Sequence, residues 1–151
     1  MGLIDEKLGR RFYLDANFFI YVLEESEPWA EAARRILIAL DRQECEAVTS
    51  ELSLAECLVK PLELGHADIA EAYLEFLRDR PFLVIVPVSR EVLIEAARFR
   101  ALSRINLPDA IHAATALQGG CASFLTNDDR LNIPGIRMVR WCDLGTSPSN
   151  E

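Results

Sequence analysis

Two kinds of apolar pattern alternate along the chain. Short apolar runs of strand length occur at residues 11–14, 47–49, 82–86, 122–126 and 137–141. Between them lie segments with helical spacing of apolar residues or with helix-start residues, at 18–23, 29–40, 51–59, 67–78, 90–102 and 108–118. This alternation predicts an α/β fold, a three-layer α/β/α sandwich with a five-stranded and mainly parallel sheet.

Individual residues refine the pattern. Ser26 and Pro28 stand where a cap and a first-turn proline are expected for the first long helix, and two later helices have a cap candidate in Ser50 and in Ser89. The run at residues 82–86 is continuously apolar and rich in β-branched residues, so we expect a strand buried on both faces.

The length of 151 residues suits one domain with an ordinary core. We expect a charged lead-in or short helix at residues 1–10, a folded domain at residues 11–143 and a polar tail at residues 144–151. No apolar run reaches the roughly 20 residues that cross a bilayer, and no signal-peptide core follows the charged start. The expected location is therefore cytoplasmic, with no membrane partner.

The charged residues give a mixed indication about nucleic acid. The net charge of −8 disfavours binding to phosphates, because that binding depends on Lys and Arg. However, 14 of the 16 basic residues are Arg, which binds phosphate through two parallel hydrogen bonds. A carboxylate cluster built to hold a cation would also account for part of the acidic surplus. Composition therefore leaves the partner open.

Cysteine spacing does not fit a zinc site. The chain has no C-x-x-C pair and only two histidines to supply further ligands. We expect buried free thiols without a function at Cys45, Cys57, Cys121 and Cys142.

Four carboxylates fall where the predicted fold can bring them to one edge of the sheet. Asp15 and Asp128 follow the first and fourth predicted strands, and Asp109 lies in the first turn of a helix. Glu56 lies in the helix that follows the second strand. Because the carboxyl ends of parallel strands meet at one edge, where such folds bind ligands, these side chains can converge there.

Taken singly, each of these carboxylates has an ordinary explanation as a helix-start, turn or solvated helix residue. Asp15 and Asp109, however, stand in the apolar segments FYLDANFFIYVL and INLPDAIHAATAL, where a carboxylate is costly unless it is compensated. Clustered carboxylates repel one another unless a divalent cation neutralises them, and oxygen ligands suit Mg²⁺ or Mn²⁺ rather than zinc. The pattern therefore predicts a site for Mg²⁺ or Mn²⁺.

The segments YLDANFFIYVL, TSELSLAE, INLPDAIHAATAL and SFLTNDDRL, in this order and spacing, resemble the PIN-domain nucleases, especially the VapC-type toxins of bacterial and archaeal toxin–antitoxin pairs. The resemblance spans residues 11–141. It implies a parallel sheet flanked by helices and an acidic site that binds Mg²⁺ or Mn²⁺ and hydrolyses RNA. By motif, it assigns catalysis and metal binding to Asp15, Glu56, Asp109 and Asp128, with support from Asn17 and Thr126.

Some details of the implied site stay open. Ala16 stands where the family often has Thr or Ser, so one hydroxyl near the metal is missing. Asp129 is adjacent to Asp128 and can share or take the fourth role, although Asp128 is preferred because it follows the Thr-Asn pair. The number of ions, one or two, is not determined. His112, one turn after Asp109, can face the substrate, but a structural role is the preferred interpretation.

The function implied by the resemblance is that of a metal-dependent endoribonuclease, the toxin of a toxin–antitoxin system. Its partners would be RNA of undetermined identity and an antitoxin that places a basic side chain among the acids. A homodimer is also implied, for which segments 18–23 and 29–40 are candidate interfaces if they are not simply core. The rival functions are a catalytically silent PIN-fold binding or assembly module, and a phosphatase that uses Asp15 but has Asn17 where a second aspartate is needed.

Overall fold

A five-stranded parallel sheet forms the centre of the structure, a computed structural model that describes residues 3–145. The strands follow the order β3-β2-β1-β4-β5 and are β1 Arg11–Leu14, β2 Glu46–Ser50, β3 Leu83–Val86, β4 Ser123–Thr126 and β5 Arg137–Arg140. All four strand pairs are parallel, which confirms the predicted α/β fold. Because β2 and β4 lie on opposite sides of β1, the strand order reverses there, and a ligand crevice is expected at that point.

Helices cover both faces of this sheet. In the described part of the chain they are α1 Leu3–Leu8, α2 Ala16–Leu23, α3 Ala30–Asp41, α4 Glu51–Leu64, α5 Ala67–Phe76, α6 Arg90–Ser103 and α7 Leu107–Gln118, with a 3₁₀ turn at Trp141–Leu144. No helix among residues 3–145 is long and apolar enough to cross a membrane.

The central strand β1 divides its side chains between the two faces, as a strand must. Phe12 and Leu14 belong to the core formed with α2, α3 and α5, and both are fully buried. Tyr13, between them, is equally buried but packs on the other face, stacked against Phe124 beside the alanines of α7. This strand therefore connects the two halves of the core.

The start of α3 was predicted wrongly. The helix begins at Ala30 with Trp29 in the cap position, and no side chain caps it. Residues 27–29 form a turn that contains a cis Glu27–Pro28 bond. A capping serine accepts a hydrogen bond from an N–H two or three residues later, and Ser26 has Pro28, which lacks an N–H, at the first of these positions.

Two other elements differ from expectation. α4 continues to Leu64, past the predicted end at residue 59, with Pro61 buried inside it, and Gly65 ends it at φ 73°. β3 is an edge strand in which Leu83 and Ile85 are buried while Val84 and Val86 are only partly so. An apolar run indicates that both faces of a strand are covered by other elements. It does not indicate whether the strand has a hydrogen-bonded neighbour on each side, so the sequence did not reveal the edge position.

The two segments considered as dimer interfaces contribute mainly to the core. Phe18, Phe19, Ile36 and Leu40 are at most 1% exposed. Among the described residues, most large exposed apolar side chains lie elsewhere, for example Leu62 on α4 and Leu102 on α6.

The ends of the described chain pack onto the domain. Leu8 is fully buried, and its carbonyl accepts a hydrogen bond of 2.6 Å from the hydroxyl of Ser123. Leu144 is also buried. Residues 1–2 of the predicted lead-in and residues 146–151 of the predicted tail lie outside the described residues. Cys45, Cys57 and Cys121 are buried as expected, whereas Cys142, in the terminal 3₁₀ turn, is exposed.

Two of the three predicted serine caps are confirmed, and one of them provides a clean stability test. Ser50 Oγ accepts from the N–H of Leu52 at 3.0 Å, and Ser89 Oγ accepts from the N–H of Val92 at 3.2 Å. Ser89→Ala should lower the free energy of unfolding by about 1 kcal/mol, because it leaves a helix N–H without its acceptor. Ser89→Asp should retain most of the stability. Urea denaturation measures both, and equal losses in the two variants would contradict the capping role.

Candidate active site

A pocket of about 240 Å³ lies where β1 ends, at the carboxyl edge of the sheet. Three of the four predicted carboxylates, Asp15, Glu56 and Asp109, line it. The other lining residues are Ala16, Asn17, Ile20 and His112. The fold therefore brings together carboxylates that are up to 94 positions apart in the sequence.

The ends of two helices position the two aspartates. Asp15 directly follows β1 and caps α2, and its Oδ1 accepts a hydrogen bond of 3.0 Å from the N–H of Asn17. Asp109 lies in the first turn of α7, where its own N–H donates to Oδ1 of the capping residue Asn106 at 2.8 Å. Because α7 precedes the parallel strand β4, it begins at the carboxyl edge of the sheet, and its N-terminal dipole favours a negative charge there.

Glu56 approaches the pocket from α4 and is held by a histidine. Its Oε1 lies 2.8 Å from Nε2 of His112, and its side chain is 35% exposed. His112, one turn after Asp109 on α7, is only 3% exposed. The carboxylate therefore has one oxygen fixed by the protein and the other free to meet a ligand.

The environment of the pocket makes its two aspartates hard to ionise. Burial, together with the charges of Glu56 and Asp109, raises the pKa of Asp15 to about 6, against the opposing effects of His112 and of the Asn17 N–H. Burial also raises the pKa of Asp109, and the charges of Asp128 and Glu56 act in the same direction. Neutralisation by a bound cation would relieve both costs.

Asp128 lies beside this pocket. It lines a neighbouring pocket of about 340 Å³, which shares Asp109 with the first and also contains Arg104 and Arg130. Its Oδ1 accepts from the N–H of Arg130 at 2.9 Å, and its pKa is lowered by this bond and by the guanidinium of the same residue. The fourth carboxylate is thus next to the third but already paired with a base.

The supporting residues occupy distinct places. Asn17 lines the first pocket, and Thr126, at the end of β4, accepts a hydrogen bond of 2.9 Å at Oγ1 from the N–H of Asp128. Asp129, the alternative to Asp128, pairs instead with Arg140 at 2.6 Å and lines neither pocket. The geometry therefore favours Asp128 over Asp129 as the neighbour of Asp109.

Comparison with known proteins agrees with this architecture. The family model described as the PIN domain matches residues 12–135, which is most of the chain. The chain belongs to the PIN-domain family. This family consists of nucleases. No protein among those of curated function matches the chain significantly.

Several solved structures share the fold of this PIN domain. A VapBC2 complex from Rickettsia felis, bound to a promoter DNA fragment, matches with a TM-score of 0.68 and 19% identity over 87% of this chain and 98% of that one. DNA-bound VapBC from Salmonella typhimurium gives 0.65 and 22% over the same shares. FitAcB from Neisseria gonorrhoeae gives 0.61 and 21%, again over 87% and 98%. At these identities the likeness shows the fold.

The donor set of this PIN domain fits a hard divalent cation. Its carboxylate oxygens suit Mg²⁺ or Mn²⁺, and a bound cation would relieve the burial and the mutual repulsion that raise the pKa of Asp15 and of Asp109. As the side chains stand, however, no group of three His, Cys, Asp or Glu residues among positions 3–145 is arranged around one ion position. Bases of the chain itself hold Glu56 and Asp128.

Sequence reasoning missed two contacts in this PIN domain. His112 was expected to be structural, yet it lines the pocket and binds Glu56. Its place three residues after Asp109, on the same side of a helix, was the available signal. Arg130 was overlooked because a single arginine in a loop has no pattern, although its spacing of two residues from Asp128 permits a local ion pair.

The raised pKa of Asp15 predicts how stability depends on pH in metal-free protein. A carboxyl whose pKa rises from 3.8 to about 6 on folding binds its proton more tightly in the native state, so its contribution to stability falls as pH rises through this range. Asp15→Asn removes that term and keeps a capping oxygen. Relative to wild type, the variant should therefore gain stability between pH 4 and 6 and hold that gain above pH 6.

Urea denaturation in the presence of a chelator tests this. Asp129→Asn is the matched control, because this exposed aspartate pairs with Arg140 outside the pocket. A stability difference between Asp15→Asn and wild type that stays constant from pH 4 to 7 would show that the Asp15 carboxylate is not desolvated.

Proposed function

We propose that this PIN domain is an Mg²⁺- or Mn²⁺-dependent endoribonuclease that hydrolyses RNA phosphodiesters, with Asp15, Glu56, Asp109 and Asp128 as its catalytic and metal-binding residues. The observation that carries the proposal is the shared pocket of the first three carboxylates, in which burial and mutual repulsion raise the pKa of both aspartates. A divalent cation bound in this pocket would neutralise the negative charge of its carboxylates.

The residues divide the work of hydrolysis. A divalent ion bound here would activate water near neutral pH and offset negative charge on the phosphate. Asp15 at the start of α2 and Asp109 at the start of α7 supply negative charge to the pocket. Glu56 adds a third carboxylate from α4. Asp128 extends the acidic surface toward the neighbouring pocket when Arg130 leaves its carboxylate and binds another anion. Asn17, Thr126 and Asp129 complete the proposed support.

A nucleic-acid substrate is supported by the arginines beside the carboxylates, and the resemblance to PIN-domain nucleases favours RNA. Arg104 and Arg130 line the neighbouring pocket, and both are exposed. A chain bound with one phosphate at the acidic pocket can place its next phosphates within reach of these side chains. Arginine is well suited to such contacts because its planar guanidinium binds phosphate through two hydrogen bonds.

The role of a toxin is supported by the proteins that share the fold. The solved structures reported above are VapBC and FitAB complexes, and related chains include a toxin–antitoxin complex from Klebsiella pneumoniae. We infer a cognate antitoxin that covers the pocket with a basic side chain, as well as a homodimer. The basic side chain of the antitoxin would neutralise the negative charge that a bound cation otherwise neutralises.

A catalytically silent binding module is the second candidate. It is favoured by one observation, that Glu56 and Asp128 are held by His112 and Arg130 rather than gathered with the other two acids. The phosphatase alternative has less support, because Asn17 cannot serve as a second carboxylate and the family is that of PIN nucleases. Cleavage of RNA by the purified protein separates these functions.

Asp109→Asn is the sharpest test of the nuclease. The substitution removes one charge from the cation site, so RNA cleavage in Mn²⁺ should fall by a factor on the order of 10² or more. Stability should hold or rise, because Asn keeps the helix-start geometry without the buried charge. Chelation of the metal should abolish cleavage by the wild type, and zinc should not replace Mn²⁺.

The matched control is Asp68→Asn, which changes an aspartate in the first turn of α5. It should have no effect on cleavage. If Asp109→Asn cuts RNA at the wild-type rate, Asp109 is only a helix-start residue, and if the wild type cuts undiminished in chelator, metal-dependent hydrolysis is the wrong mechanism.

Arg104→Gly tests the substrate contact and separates it from folding. Arg104 has a left-handed backbone, with φ 60°, which costs an L-residue roughly 1 kcal/mol and costs glycine little. The variant should therefore be more stable by about that amount. Loss of the guanidinium should raise KM for single-stranded RNA with little change in kcat, and reduce the salt dependence of binding by about 0.7 in the log–log slope.

Gln43→Gly is the control for this variant, because Gln43 also has φ 60° but lies before β2, at the opposite edge of the sheet. It should raise stability to a similar degree and leave KM unchanged. An unchanged KM and salt slope for Arg104→Gly would remove Arg104 from the RNA path.

A further inference from the structure

A row of buried polar side chains lies beneath the acidic pocket. Ser53, Thr49 and Tyr13 are fully buried, and His112 is 3% exposed. Thr49 and Ser53 are joined by a hydrogen bond of 2.7 Å, and the phenol oxygen of Tyr13 lies 2.5 Å from Nδ1 of His112. Nε2 of the same imidazole lies 2.8 Å from Oε1 of Glu56. Buried polar groups are costly, and a fully connected row is kept only where each member has a partner.

The hydrogen bonds of this row have one consistent direction. A tyrosine phenol carries its proton near neutral pH and can donate it. Nε2 of His112 faces a carboxylate oxygen, which can only accept, so the neutral imidazole carries its hydrogen there. Nδ1 is then the acceptor for the phenol proton of Tyr13. A neutral imidazole that accepts at Nδ1 carries its hydrogen on Nε2.

The row therefore ends in a donor aimed at the pocket. Nε2–H of His112 donates to Oε1 of Glu56, which leaves Oε2 as the oxygen free to bind a ligand. A glutamate side chain on a helix otherwise has three rotatable bonds and pays entropy when a ligand fixes it. Here the sheet and α7 fix it in advance, through two side chains that are themselves locked in the core.

We propose that Tyr13 and His112 are positioning residues, which fix the tautomer of the histidine and thereby present a single oxygen of Glu56 to the divalent cation. The inference rests on the proposed metal-dependent function. Packing does not require a phenol and an imidazole here, since apolar side chains would fill the same space. The four-carboxylate pattern does not require them either, and positioning Glu56 gives both groups a function.

The tautomer is tested without metal or activity. A long-range ¹H–¹⁵N NMR spectrum of the metal-free protein, with the His112 signals assigned by comparison with His112→Gln, should show Nε2 protonated and Nδ1 bare. In Tyr13→Phe, which loses the proton that the phenol donates to Nδ1, the spectrum should move toward a mixture of the two tautomers. Protonation of Nδ1 in the wild type would overturn the proposed direction of the row.

The effect on the cation is measured by Mn²⁺ binding, from the EPR signal of free Mn²⁺ during titration. His112→Leu should weaken binding by about 10- to 100-fold, the usual range when a residue that orients a metal ligand is removed. His112→Gln, whose amide can donate to Glu56, should recover part of the loss, and Tyr13→Phe should show a smaller loss. Cleavage at saturating Mn²⁺ should be restored, so that the half-saturating Mn²⁺ concentration changes more than the maximal rate.

Two comparisons separate positioning from damage to the core. Thr115→Val alters another fully buried residue of α7, whose hydroxyl bonds only to the carbonyl of Ile111 one turn earlier, and should leave Mn²⁺ affinity unchanged. In a Glu56→Gln background, His112→Leu should cost little further affinity, because the two residues act together. Equal losses in His112→Leu and Thr115→Val, or full additivity with Glu56→Gln, would overturn the proposal.

The result is distinguishable from a failure of the nuclease itself. A wild type that neither binds Mn²⁺ nor cuts RNA would overturn the proposed function and the positioning role with it. A wild type that does both, with His112→Gln and His112→Leu unchanged in affinity, would overturn only the positioning role.

Discussion

The repulsion and desolvation of three carboxylates in one small pocket is the constraint on which the rest of this site depends. Asp15, Glu56 and Asp109 come from three different elements and meet where β1 ends. Each is placed by a feature that the backbone already requires: a cap at the start of α2, a proline-led first turn in α7 and the N-terminal half of α4. The fold thus supplies the geometry without specialised loops, and the unfavourable charge is the cost of the arrangement.

Basic side chains of the protein itself partner two of the four acids. His112 donates toward Glu56, and Arg130 pairs with Asp128, so that two of the four acids are compensated within the protein. Burial, and then the charges of neighbouring carboxylates, raise the pKa of Asp15 and of Asp109, although His112 acts in the opposite direction on both. The metal-free arrangement is therefore a balance in which a cation, or the basic side chain of a partner, competes with internal partners for the same oxygens.

Much of the fold and the positions of the acids followed from the sequence, for identifiable reasons. Strand-length apolar runs locate the parallel sheet, and a carboxylate directly after a strand must lie at the carboxyl edge, as Asp15 and Asp128 do. The pairing of Glu56 with His112 spans 56 positions and depends on how α4 and α7 pack, which local patterns do not encode. The start of α3 was predicted wrongly for a local reason, because Pro28 lacks an N–H that Ser26 could have capped. The sequence preferred Asp128 to Asp129 only because it follows the Thr-Asn pair, and in the structure the two aspartates pair with different arginines, Arg130 and Arg140.

The net charge of −8, which at first disfavours a nucleic-acid substrate, is a poor guide to the field that a substrate meets. Charges farther apart than about 8–10 Å are largely screened at physiological salt, so the local arrangement decides. At the carboxyl edge, Arg104 and Arg130 flank the same acids that a divalent cation would neutralise. Much of the remaining acidity lies on exposed helix faces, where Glu31, Glu75 and Glu95 pair with arginines three residues away. An acidic protein can in this way offer phosphate a locally favourable surface, provided that a cation occupies its acidic pocket first.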